Sequence, residues 1–175
     1  SPFNELEITF SSRHGNLPTI KKVELSEKLP DEVNVHQNAV IFFLSDFLNQ
    51  ILKNESQQVA LYQEIKFFKQ KILEKKIHAH YFFLIRMLQF FGISPLVSEE
   101  KFLNIEKGIF QEEIAEKEVD EELSFLWKKI LDEEIEEDFI IEKKSRKPLL
   151  DSILQYYKTH FPEFYAPKSL PVILE

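Results

Sequence analysis

A chain of 175 residues with 43% hydrophobic residues, seventeen Phe among them, can bury one sizeable core, and the lack of any cysteine excludes disulfides and thiolate zinc sites and suits a reducing cytoplasmic setting. The net charge of -8 argues at first sight against a nucleic-acid partner. From Glu99 to Glu142, however, seventeen acids stand against five bases, whereas the remainder has thirteen acids and seventeen bases, so the acidity belongs to one segment and a basic face elsewhere stays open.

No signal-peptide pattern is visible, and the opening SPFNELEITF, without Met and already reading as a strand, suggests that the chain begins inside a larger protein. Between Phe3 and Ser12, Leu6, Ile8 and Phe10 alternate with Glu5, Glu7 and Thr9, the period of a half-buried strand. Arg13 to Asn16 supplies a turn, and the run Leu17 to Leu25 can pair back as a hairpin that Pro30 closes. Two strands alone are marginal in water, so the hairpin wants further strands or a helical surface to lie on.

From Val35 to Leu52, the apolar residues Val40, Phe43, Leu44, Phe47, Leu48, Ile51 and Leu52 recur at three and four, predicting a long amphipathic helix broken at Asn54 to Ser56. The segment Gln57 to Lys76 sets Leu61, Ile65, Phe68 and Ile72 on one stripe and Lys66, Lys69 and Lys76 on another. His78 to Gly92 is apolar at ten of fifteen positions, with His78, Arg86 and Gln89 on one narrow stripe and His80 among aromatics. This predicts a helix covered on nearly all sides, too short and too interrupted by Arg86 to span a membrane, and stopped by Gly92 with Pro95 behind it.

Beyond Gly92, Phe102 to Phe110 reads as a small hairpin around a Gly turn, Glu121 to Leu131 as a short helix, and Asp132 to Asp138 as a charged linker. Ser145 is placed to cap a final helix with Pro148 in its first turn and Leu149, Leu150, Ile153, Leu154, Tyr157 and Phe161 inward. Pro162 ends it, and the tail to Glu175 reads as extended. The fold class expected is mostly α: a helical bundle carrying an N-terminal β-hairpin.

The residues offer little to an enzyme. Gly15, Gly92 and Gly108 form neither a phosphate loop nor a dinucleotide fingerprint, no serine sits in a nucleophile elbow, and there is no thiol. Among His14, His36, His78, His80 and His160, the close pair His78 and His80 points to different sides of a helix, so a core histidine is expected rather than a metal ligand. The acidic segment lacks the spacing of a calcium loop. The most suggestive cluster is Lys143, Lys144, Arg146 and Lys147 at the start of the last helix, where exposed amides and the positive helix end add to the side chains. It reads equally as an anion site, for a phosphate backbone or an acidic peptide, and as neutralisation of nearby Glu136, Glu137, Asp138 and Glu142. The stripe of Lys66, Lys69 and Lys76 has the same two readings.

The run from Leu149 to Phe164, followed by Lys168-Ser-Leu170, resembles the C-terminal signature of the RecO family of DNA repair proteins, particularly its Bacteroidetes branch. Ile41 to Leu48 is similar to that family's first long helix, His80 to Gly92 to its central helix, Phe102 to Phe110 to its short extended segment, and Phe3 to Phe10 to a late strand of its OB-fold. The blocks are collinear over nearly the whole chain. The resemblance implies that residues 1–30 are the last strands of an OB-fold whose first strands are missing, and that residues 31–175 are a helical C-terminal domain. It further implies a cytoplasmic recombination mediator, not an enzyme, that binds single- and double-stranded DNA, anneals strands, and works with RecR to load RecA on DNA covered by single-strand-binding protein (SSB).

The family also receives the acidic, Phe-ended tail of SSB, which needs an apolar pocket rimmed by cations, and Arg86 is a suitable rim residue. The family's arginine earlier in this helix has no match, since Tyr81 and Phe82 stand there. Some members hold zinc through four cysteines; this chain has none, so no metal and no cofactor are expected. The alternative from another class is a structural helical adaptor whose acidic segment Glu99 to Glu142 docks a basic protein.

Overall fold

The computed structural model describes residues 2–12, 17–30, 33–53, 58–76, 78–115, 118–132 and 140–174. The expected turn at Arg13 to Asn16, the helix break at Asn54 to Ser56 and all of the charged linker but Asp132 lie outside them. In chain order the elements are β1 (Glu5–Ser11), β2 (Thr19–Glu27), α1 (Val35–Ile51), α2 (Val59–Leu73), α3 (Ala79–Phe90), β3 (Phe102–Asn104), β4 (Ile109–Gln111), α4 (Glu121–Asp132), α5 (Lys143–His160) and α6 (Leu170–Leu174). The fold is mostly α, as the periodicities require, with an antiparallel hairpin at its start.

α1 begins where Asn34 and Gln37 satisfy each other's backbone amides in a capping box, at 2.8 and 3.1 Å. The Gln37 amide reaches on to the carbonyls of Ile72 and Leu73 at the end of α2, at 2.8 and 3.1 Å, which fixes the start of one helix to the end of the next. α2 stops in a Schellman arrangement: Lys76 N–H bonds to the Lys71 carbonyl and Lys75 N–H to that of Ile72, with Lys75 at a φ of 62°. Lys76 therefore lies beyond the helix and not on its lysine stripe, a correction to the sequence reading. Gly92 ends α3 in the same way, with the residue type that tolerates a φ of 66°.

α3 is the centre of the core. Phe83, Leu84, Met87 and Leu88 are wholly buried, and α2, α4 and α5 pack against this helix. Burying each such side chain contributes about 1.5–3 kcal/mol. The aromatic rings lock at edges: Phe83 meets Phe68 at 5.2 Å and Phe47 at 6.4 Å, and Phe47 meets Tyr157 at 5.0 Å. Arg86 and Gln89 are exposed as expected, but His78 is buried because it sits at the helix entrance. His80 is buried with its ring 4.1 Å from that of Tyr81.

The small hairpin of β3 and β4 forms as read, with Leu96 bridging alongside Ile109. Its Leu103 N–H donates to Ser124 Oγ of α4 at 3.0 Å. α5 departs from expectation at its start. It begins at Lys143 behind Glu142, and Ser145 is no cap, since its hydroxyl donates to Glu122 at 2.7 Å. Pro148 consequently sits in the second turn, where its missing N–H removes one helical bond. The tail is not wholly extended either: Leu170 and Ile173 of α6 pack on the core beside α1, and Ser169 anchors to Asp46.

The first hairpin differs most. Leu6, Ile8 and Phe10 face Leu25, Val23 and Ile20 across the strands, and all six are 46–62% exposed. Where the alternation predicts a half-buried strand, both faces meet solvent.

Candidate anion-binding site

Glu5, at the root of β1, is gripped by α2. Tyr62 donates to its carboxylate at 2.8 Å, Lys66 at 3.0 Å and Lys69 at 3.3 Å. Residues at i, i+4 and i+7 share one face of a helix, so α2 presents the phenol and both ammonium groups together. Lys69 also meets Glu27 of β2 at 3.4 Å. Its side chain is only 7% exposed, so its charge has to be matched by carboxylates. Desolvation pushes the Glu5 carboxyl up, but hydrogen bonds led by those of Tyr62 and Lys66 outweigh it and bring it down to about 2. The bond to Glu5 in turn raises the Tyr62 phenol and the Lys66 ammonium.

Beside this clasp lies a cleft of about 480 Å³, walled by Phe3, Leu6, Leu48 and Ile65 and edged by Ser45, Tyr62, Lys66 and Lys69. The Ser45 hydroxyl is buried and has no hydrogen-bond partner among the described residues. The site thus combines apolar walls, two cations and free polar capacity. Sequence reasoning named Lys66 and Lys69 but missed Glu5, Glu27 and Tyr62; the spacing of Tyr62 to the lysines was the available signal.

The structure keeps the other candidates apart from the clasp. Lys143, Lys144, Arg146 and Lys147 occupy the first turns of α5. Lys144 pairs with Glu122 at 3.1 Å and Glu142 at 3.5 Å, Lys147 with Asp151, and Arg146 donates to the Ile141 carbonyl at 3.1 Å. Lys143 is exposed. Of the acids expected to neutralise the cluster, Glu142 does so, while Glu136, Glu137 and Asp138 lie outside the described residues. Arg86 is half exposed and bonds Glu64 at 3.2 Å and Gln89 at 3.1 Å, with Gln89 passing on to the Leu131 carbonyl. Arg86 does not line the cleft beside Glu5.

His78 and His80 at the start of α3 lie within electrostatic reach of His36 at the start of α1 and of Arg146 of α5. Burial brings His78 down to about 4, helped by the Arg146 and His36 charges, and brings His80 down to about 3, helped by those of His36, His78 and Arg146. Among the described residues, no group of three or more His, Asp or Glu side chains could hold a metal ion, and no helix is long and apolar enough to cross a membrane.

The fold and its side chains define a helical body with an exposed hairpin and cation-bearing surfaces. No family model and no solved structure matches the chain. Three curated relatives match it nearly end to end. The DNA repair protein RecO of Flavobacterium psychrophilum is 24% identical over 190 residues, covering 99% of this chain and 76% of the relative. Those of Christiangramia forsetii and Azobacteroides pseudotrichonymphae are each 27% identical, covering 98% and 97% of this chain and 75% and 74% of the relatives. The chain is thus similar over nearly its whole length to three RecO proteins, each described as a DNA repair protein, and this similarity supports a RecO-type assignment.

Proposed function

We propose that the chain acts as a recombination mediator in the cytoplasm, binding single- and double-stranded DNA, RecR and the acidic tail of SSB to help load RecA and anneal strands, without catalysis of its own. The observation that carries this reading is the collinear similarity to three RecO proteins over nearly the whole chain. In this reading residues 1–30 are strands of an OB-fold. The exposed cross-strand pairs Leu6 and Leu25, Ile8 and Val23, and Phe10 and Ile20 support it, because such a face calls for another layer to cover it. Residues 31–175 are the helical domain.

DNA phosphates are assigned to Lys143, Lys144, Arg146 and Lys147, because the ion pairs of Lys144 and Lys147 are exposed and therefore cheap to exchange. The SSB tail is assigned to the cleft rimmed by Lys66 and Lys69 in preference to Arg86, because apolar walls and cations meet at that cleft. Titration of a labelled single-stranded oligonucleotide at low salt, followed by fluorescence anisotropy, tests the DNA role. Binding that weakens steeply with salt is expected. No binding even at low salt would defeat the reading and leave a helical adaptor, its acidic segment docking a basic protein, as the better account.

A further inference from the structure

At the root of the first hairpin, the protein holds a piece of its own chain in the posture of a ligand. Phe3 turns the backbone at a φ of 62° and packs its ring against the core. Asn4 accepts the Leu29 N–H at 3.0 Å, and Glu5 delivers its carboxylate to Tyr62, Lys66 and Lys69. An aromatic ring and a carboxylate two residues apart are the chemistry of an acidic peptide with an aromatic side chain. The cleft beside them keeps its apolar walls open to the same kind of ligand, and Ser45, with its buried, unpartnered hydroxyl, is among its lining residues.

We propose that the segment Phe3 to Glu5 is an internal stand-in for a partner's acidic, aromatic-bearing peptide, and that the partner's carboxylate exchanges with Glu5 on Tyr62, Lys66 and Lys69, releasing the hairpin root. This rests on the reading that the cleft takes an acidic tail, and adds that the site is self-occupied at rest. Exchange is favoured over simple opening by the burial of Lys69. Withdrawing Glu5 leaves Lys69, whose side chain is 7% exposed, with Glu27 alone at 3.4 Å, whereas trading one carboxylate for another keeps its two carboxylate partners throughout. A carboxylate as the resident group, together with apolar walls, favours a peptide over a nucleic-acid backbone.

The test uses the full chain and a fluorescein-labelled peptide of several aspartates ending in a free phenylalanine. Glu5→Gln, which keeps the side chain's size and removes the competing charge, is expected to bind the peptide about tenfold more tightly than the wild type. Adding Lys66→Ala to Glu5→Gln should cancel the gain. In the wild type, saturating peptide should speed hydrogen exchange of the β1 and β2 root amides, and this measurement decides the matter alone if Glu5→Gln does not fold. Wild-type binding with no tightening in Glu5→Gln and no change in exchange overturns the self-occupation and leaves the tail site standing. Absence of peptide binding to either protein overturns both. Tightening toward a single-stranded oligonucleotide but not toward the peptide overturns the peptide as occupant.

Discussion

The Tyr157 phenol donates to the Leu84 carbonyl at 2.6 Å, a buried bond that ties the last long helix to the middle of α3 across 73 residues of sequence. Burial holds that phenol well above its ordinary range, so it stays a donor at any ordinary pH. Tyr157→Phe keeps the ring against Phe47 and Phe164 and removes the hydroxyl alone. A loss of about 1 kcal/mol is expected, near a typical net hydrogen bond, because a carbonyl within a helix also has its backbone partner. Urea denaturation of the two proteins measures it; an unchanged midpoint would show the bond to be idle.

Gly92 and Gly108 both have a positive φ, but their surroundings differ. A Cβ on Gly92 meets nothing within 4 Å, whereas one on Gly108 would stand 2.7 Å from the Tyr156 hydroxyl. That hydroxyl is already committed to the Ile93 carbonyl at 2.9 Å. Gly92→Ala should therefore cost about 1 kcal/mol for its backbone conformation. Gly108→Ala adds the clash and should cost about 2–4 kcal/mol, losing the bond from Tyr156 as well. Thermal melts of the pair check the order, and equal losses would mean that β3 and β4 shift freely around Tyr156.

The helices were legible where burial leaves a period. α1 and α3 each bury a broad stripe, so spacing alone located them to within about two residues. The errors arise where distant residues intervene. Ser145 reads as a cap but is captured by Glu122, 23 residues earlier, and the helix starts before it. Lys76 reads as one more lysine on a stripe because nothing at Lys75, a non-glycine residue at positive φ, marks the helix end. The Glu5 clasp joins residues 57, 61 and 64 positions apart, and no local pattern carries that pairing. Alternation at Leu6, Ile8 and Phe10 correctly gave a strand but not its exposure, since a period of two reports which residues share a face and not what covers it.

Acid should weaken the fold through two imidazoles. His78 and His80 have folded values of about 4 and about 3, below the ordinary 6.5, chiefly because burial penalises their charged forms. The unfolded chain then binds protons that the folded chain refuses, so this stability is complete above pH 6.5 and is lost as pH falls toward about 4 for His78 and about 3 for His80. The slope is up to about 1.4 kcal/mol per pH unit for each imidazole. Urea midpoints at pH 7 and pH 5 should differ accordingly, and His80→Phe should reduce the difference to the share of His78. Equal midpoints in the wild type would mean that the imidazoles reach water.

The start of α5 supplies the test of where DNA is held. Lys144 and Lys147 already have acidic neighbours in Glu122, Glu142 and Asp151, and phosphates must compete with them. Those pairs are largely exposed and individually worth little, whereas pairing with a phosphate releases condensed counterions, so at low salt the exchange favours DNA. Replacing Lys143, Lys144, Arg146 and Lys147 by Ala together should weaken single-stranded oligonucleotide binding by tenfold or more. It should also lower the slope of log affinity against log salt by roughly 0.7 for each phosphate no longer neutralised. Arg146 also donates to the Ile141 carbonyl, so a melting curve of the variant separates weakened binding from a loosened helix start. An unchanged salt slope in a folded variant would move the phosphate-binding surface elsewhere on the molecule.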